Sequence, residues 1–193
     1  MSRDARIRPA IPPQSGPPNT WGTSSPSIVD EATLHRLIAL ELLRHRTAPG
    51  LVAVYAVRAT AREGSEAATV ADETARRLLA TLRPIDVVGR LRDGSFVVLA
   101  DGLLSAGAVF ALNERLLDAL RAPVDVPGES PMEPTVSIGL ALTGNPLRDP
   151  VDMVRHACLA LANAQRAGGN RIALADPQFS GLLDIAGRVH ATT

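Results

Sequence analysis

The chain has 193 residues, 46% hydrophobic but only 3% aromatic, so a domain-sized core must be built from Ala, Val, Leu and Ile. Twenty basic and twenty acidic residues cancel to a formal net charge of zero, which points to neither a nucleic-acid nor a membrane-surface partner. No run approaches the ~18 apolar residues of a spanning helix, no signal peptide opens the chain, and the lone Cys158 excludes an internal disulfide framework, so a soluble cytoplasmic protein is expected.

Residues 1–28 read as a disordered tail, because Pro9, Pro12, Pro13, Pro17, Pro18 and Pro26 deny it helix or ladder. Trp21, its one large apolar residue, either packs back on the domain or serves as a short docking element. The structured domain is expected over 29–175, with a second tail over 176–193. Asp30 is placed to cap a helix that runs with 3.6-residue periodicity through Leu34, Leu37, Ile38 and Leu42 to about Arg46. Pro49-Gly50 breaks it. Leu51 to Val57 reads as a buried strand and 59–66 as a polar loop. A helix follows over 67–82, ended by Pro84. Val87 to Leu91 and Phe96 to Ala100 read as a hairpin around Asp93-Gly94, both turn positions tolerating positive φ. A helix over 104–121 comes next, then a Pro-rich loop over 123–133 with room for a short strand. Thr135 to Leu142 is a strand, 150–167 a helix stopped at Gly168-Gly169, and Arg171 to Leu174 a last strand. This order, with a β-α-β-β-α-β interior, predicts an α+β domain: a ferredoxin-like core with a central, mostly antiparallel sheet covered by helices.

Three segments carry chemistry or a family pattern. Arg83-Pro84-Ile85-Asp86 is followed by Arg92-Asp93-Gly94-Ser95-Phe96, then by Val136-Ser137-Ile138-Gly139-Leu140-Ala141, then by an alanine-rich helix ending Gly168-Gly169-Asn170-Arg171. In this order and at these distances they resemble the GGDEF family of diguanylate cyclases, whose pattern is R-x-x-D, the turn Gly-Gly-(Asp/Glu)-Glu-Phe, V-S-I-G-x-A and a terminal G-x-N-R. The resemblance runs from about residue 30 to 174 and implies the nucleotidyl-cyclase-like fold. It also implies two sites: a catalytic turn that works on GTP with Mg²⁺, and a product site at R-x-x-D that binds cyclic di-GMP.

The departures fall on the first of these. Gly94 and Ser95 stand where the acidic pair belongs, Arg92 and Asp93 where the two glycines belong, and Tyr55-Ala56-Val57-Arg58 ends the first core strand without a carboxylate. Mg²⁺ prefers carboxylate oxygens. The degenerate turn therefore implies no catalytic residue, no metal and no cofactor, and the chain is expected not to be an enzyme. At the second site Arg83 and Asp86 keep the family spacing, with Arg115 of the following helix as the candidate to complete it. An arginine fork can take a guanine edge or a phosphate, and an aspartate can accept from guanine N–H groups. The alternative is structural: Arg83 against a helix C-terminus and Asp86 at a strand entry. Elsewhere, His35, His45, His156 and His190 show no metal-ligand spacing with one another or with Cys158, which reads as a small buried hydrophobe. The expected function is a cyclic di-GMP receptor that signals through protein contacts, the alternative a nucleotide-free interaction or homodimerisation module.

Overall fold

The structure is a computed structural model that describes residues 28–47, 50–61, 67–128 and 130–176. Residues 1–27, Trp21 included, and 177–193 lie outside the described residues, and with them all of the two expected tails except Ile28 and Asp176.

Ten elements follow in order: β1 (Ile28–Val29), α1 (Glu31–Arg44), β2 (Leu51–Thr60), α2 (Ala67–Thr81), β3 (Val87–Arg90), β4 (Phe96–Leu103), α3 (Ala106–Arg121), β5 (Thr135–Thr143), α4 (Pro150–Arg166) and β6 (Arg171–Leu174). One six-stranded sheet has the order β1-β3-β4-β2-β5-β6. The outer pairs β1/β3 and β5/β6 are parallel, and the inner pairs are antiparallel. The expected α+β architecture is the observed one. Four local readings change, the first being that β4 runs on from Ala100 to Leu103, which pairs with Leu51. The chain enters the sheet at Ile28, inside the segment assigned to the N-terminal tail. Strand β2 runs on to Thr60, because Arg58, Ala59 and Thr60 pair with Ser137, Val136 and Thr135. The room left for a strand in 123–133 is filled by a bridge between Val124 and Met132 alone.

Strand β2 explains why its sequence is apolar without alternation. Ala53, Tyr55 and Val57 face one core, shared with Leu78 of α2 and with Leu112 and Leu116 of α3. Val52, Val54 and Ala56 face the other, shared with Leu34 and Ile38 of α1 and with Met153 and Ala157 of α4. A strand covered on both faces has no polar side to show. Asp30 caps α1 as expected, its Oδ1 accepting the Thr33 N–H at 2.7 Å.

The V-S-I-G and G-x-N-R patterns have packing reasons. A Cβ on Gly139 would land on the Ala157 carbonyl oxygen and the Leu161 amide nitrogen, both backbone atoms that cannot yield, so only glycine lets α4 lie this close to β5. Gly168 and Gly169 end α4 at φ +98° and +72°, and Asn170, at φ +51°, turns its Oδ1 to accept the Val136 N–H at 2.9 Å. Arg77 ties the opposite layer. Its guanidinium donates to the carbonyls of Ala122 and Pro123 past the end of α3, while Glu73 holds it from within α2 at 2.6 Å.

Two outcomes test this packing. Gly139→Ala is expected to cost about 3 kcal/mol or more in urea denaturation, the upper end of overpacking penalties. The second concerns Glu73. The Arg76 hydrogen bond lowers its carboxyl most, burial opposes and Arg77 adds, for a value of about 2. A depressed carboxylate contributes stability in full above its unfolded value of 4.5 and loses it as pH falls through about 2. Glu73→Gln should therefore be less stable than wild type near neutrality. The two stability curves should converge as pH approaches about 2.

Candidate functional site

Arg83-Pro84-Ile85-Asp86 is a β-turn closed twice. The Asp86 N–H donates to the Arg83 carbonyl at 3.0 Å, and the Asp86 Oδ2 accepts the Arg83 N–H at 2.9 Å. Pro84 sits at the second turn position, where its fixed φ is favourable. Asp86 is 5% exposed, so its carboxylate orders the turn rather than facing solvent. Beneath it lies Tyr55, fully buried, its hydroxyl without a hydrogen-bond partner. Burial, and then the Asp86 charge, push that phenol up. Arg115 reaches across from α3 and donates to the Thr81 carbonyl, one of the orphan acceptors at the end of α2. The structure thus gathers Arg83, Asp86 and Arg115 at one corner between α2 and β3. The guanidinium of Arg83 alone is left over: it is exposed, and only its backbone is engaged in the turn.

The hairpin forms where expected but with different turn chemistry. The Gly94 N–H donates to the Leu91 carbonyl at 3.0 Å, and the Leu91 N–H to the Ser95 carbonyl at 2.9 Å. Arg92 and Asp93 are the central turn residues, and positive φ falls on Gly94 alone, at +84°. This is a turn followed by a left-handed bulge residue, not a two-residue Asp-Gly turn. Asp93 fastens it. Its Oδ1 accepts the Ser95 N–H at 3.0 Å and the Ser95 hydroxyl at 2.5 Å, and its Oδ2 accepts from Arg58 at 2.5 Å. Burial pushes the Asp93 carboxyl up, but the Ser95 hydrogen bonds and the Arg58 charge leave it below the usual carboxylate value. Ser95 and Phe96 are buried, and Arg90 lies over the Phe96 ring, 5.5 Å from its centroid.

The residues at this turn do not fit a divalent cation. Asp93 is its single carboxylate, both oxygens are engaged with Ser95 and Arg58, and the turn brings no second ligand beside it. Cys158, half-buried nearby, has its thiol pushed up by burial and then by the Asp93 charge, which disfavours a metal-binding thiolate. Beside the hairpin a groove of ≈ 710 Å³ lies between the start of α1, His35 and Arg90 to Arg92. The His35 Nε2 is buried and has no hydrogen-bond partner. The groove's wall is charge-balanced, with Asp30 and Glu31 facing Arg90 and Arg92, and Asp30 already caps the helix N-terminus there.

The family model described as the diguanylate cyclase GGDEF domain matches residues 66–171, more than half of the chain, and the chain belongs to that family. An uncharacterised Mycobacterium tuberculosis protein, Rv1354c, is 39% identical over 100 residues, which are 50% of this chain and 16% of that protein. The diguanylate cyclase TpbB of Pseudomonas aeruginosa is 29% identical over 114 residues, 58% of this chain and 26% of the relative. The chain therefore spans between a sixth and about a quarter of these relatives. Among solved structures, the TpbB GGDEF domain superposes with a TM-score of 0.70 at 23% identity, covering 84% of this chain and 98% of that one. The GGDEF domain of DgcB from Caulobacter crescentus, solved in complex with c-di-GMP, gives 0.66 at 12% identity, covering 91% and 99%. The expectation that the chain is not an enzyme is overturned here: its family is that of diguanylate cyclase domains, and a relative bears that enzyme's name.

The hairpin geometry orders two substitutions. Arg58→Ala removes a partly exposed ion pair and should cost at most about 1 kcal/mol. Asp93→Ala also strands the buried Ser95 hydroxyl and should cost about 1–2 kcal/mol. Chemical denaturation of both variants checks the order.

Proposed function

We propose that the chain is a cytoplasmic GGDEF domain of cyclic di-GMP signalling that binds cyclic di-GMP at the corner between α2 and β3. Arg83 is the recognising group, offering its planar fork to a guanine edge or a phosphate. Asp86 positions it by closing the turn, and Arg115 supplies a second cation on the adjoining helix. The observation that carries the reading is the uncommitted, exposed guanidinium of Arg83 on a turn that its own neighbours have made rigid. Preorganisation of this kind lowers the entropy lost on binding.

A second reading, a docking module that needs no nucleotide, is favoured by one observation. Ile85, 60% exposed in the same turn, joins exposed Leu40 and Leu43 of α1 around an apolar groove of ≈ 390 Å³. Such a groove next to the corner is also where ligand occupancy would be passed to a protein partner.

Calorimetric titration of the full chain with cyclic di-GMP separates the two. Micromolar or tighter binding is expected, abolished by Arg83→Ala at an unchanged melting temperature. Asp86→Ala should weaken binding and also lower the melting temperature, because it opens the turn. No heat with the folded wild-type chain would contradict the receptor reading and leave the docking module.

A further inference from the structure

We propose that Glu41, His45 and Asp101 form a binding site for one divalent transition-metal ion of the Zn²⁺ type. The site is distinct from both the hairpin and the Arg83 corner, and it does not rest on the nucleotide reading.

Glu41 and His45 lie one turn apart at the C-terminal end of α1, and Asp101 comes from β4, 56 residues further along the chain than His45. Among the described residues theirs is the one group of three ligating side chains whose donor atoms all lie within 4.8 Å of one another. The set is enclosed: the side chains of His45, Glu41 and Asp101 are 8%, 10% and 16% exposed. An imidazole with two carboxylates is a donor set suited to Zn²⁺.

The geometry divides the oxygens in two. The His45 Nε2 stands 3.6 Å from the Glu41 Oε1 and 3.4 Å from the Asp101 Oδ1. The other oxygen of each carboxylate is taken by Arg44, whose Nη1 lies 3.0 Å from the Glu41 Oε2 and 3.4 Å from the Asp101 Oδ2. Two donors each about 2.05 Å from a tetrahedral ion are themselves about 3.3 Å apart. The separations from His45 are long for hydrogen bonds and close to the edges of that tetrahedron. Arg44 thus holds the outer oxygens, while the inner Oδ1 of Asp101 accepts the Gly102 N–H with one lone pair and faces the imidazole with the other. The ring is seated against Gly50, where a Cβ would come within 2.6 Å of the His45 Cε1. The three donors leave a fourth tetrahedral position open.

Arg44 offsets the charge of the two carboxyl groups from their outer side only. Burial, and then the hydrogen bond with Asp101, raise the Glu41 carboxyl above its usual value. Burial also pushes Asp101 up, but hydrogen bonds from Glu41, the Gly102 N–H and His45 bring it below its own. Bound there, the ion would clip the end of α1 to β4 at the rim of the groove formed by Leu40, Leu43 and Ile85, since Glu41 and Asp101 line it too.

The test uses the full chain, freed of metal with a chelator. Zn²⁺ is titrated by calorimetry, and Co²⁺ is added to read the visible bands of a tetrahedral site. One equivalent of Zn²⁺ is expected to bind at micromolar affinity or tighter and to raise the melting temperature. His45→Gln and Asp101→Asn should each weaken binding at least tenfold and remove the Co²⁺ bands, and His156→Gln should leave both unchanged. Should Asp101→Asn not fold, His45→Gln decides alone. Absence of stoichiometric binding, or binding indifferent to His45→Gln, would overturn the proposal and leave a structural ion-pair cluster around Arg44.

Discussion

Strand β2 is hydrogen-bonded along both edges and buried on both faces, and what leaves its two ends sets the rest of the molecule. At the Leu51 end, Gly50 gives way to the His45 ring, with Glu41 and Asp101 beside it. At the other end Arg58 emerges beside the hairpin and fastens Asp93. Midway, Tyr55 drops its ring into the core beneath the Arg83 turn. A strand without a free edge or a polar face tolerates no register slip, because a shift of one residue would exchange its two cores. Apart from the buried Tyr55 hydroxyl, the polar side chains of β2 are confined to its last residues, Arg58 and Thr60.

All twenty basic residues are arginine. The planar fork has been used for joining elements more than for display. Arg77 holds the end of α3, Arg115 the end of α2, Arg121 the carbonyl of Asn170, and Arg44 the two carboxylates beside His45. A lysine in these places would present a point charge with no fixed second donor direction. At the α2–β3 corner the two uses meet: Arg115 is committed to the Thr81 carbonyl, and Arg83 keeps its guanidinium exposed.

Much of the fold was legible because periodicity and caps agreed. Asp30, the Leu34–Ile38–Leu42 stripe, the apolar run from Leu51 and the Gly168-Gly169 stop each named an element that formed. Strand β1 was hidden because two residues carry no period. The hairpin was found from Asp93-Gly94, but its loop length was not, since a bulge depends on which carbonyl the Gly94 N–H reaches. Of the candidate site, the turn was legible: Asp86 closes on Arg83, and Arg115 reaches the Thr81 carbonyl two residues before it. Their division of labour was not, because Asp86 spends its carboxylate on a backbone N–H. The Arg58–Asp93 pair and the Glu41–His45–Asp101 cluster join residues 35 and 56 positions apart on different strands and helices. No spacing rule connects them, and a search for histidine pairs passes over a site with one histidine.

The corner proposed for cyclic di-GMP and the groove beside the hairpin are built from different residues, so amide chemical shifts tell them apart residue by residue. The most direct measurement is an NMR titration of the isotope-labelled full chain with cyclic di-GMP. Binding at the corner predicts saturable shifts at Thr81 to Val87 and around Arg115, with the amides of Arg90 to Phe96 and of Glu31 to His35 unmoved. Shifts confined to the hairpin and the start of α1, or none at all, would contradict it.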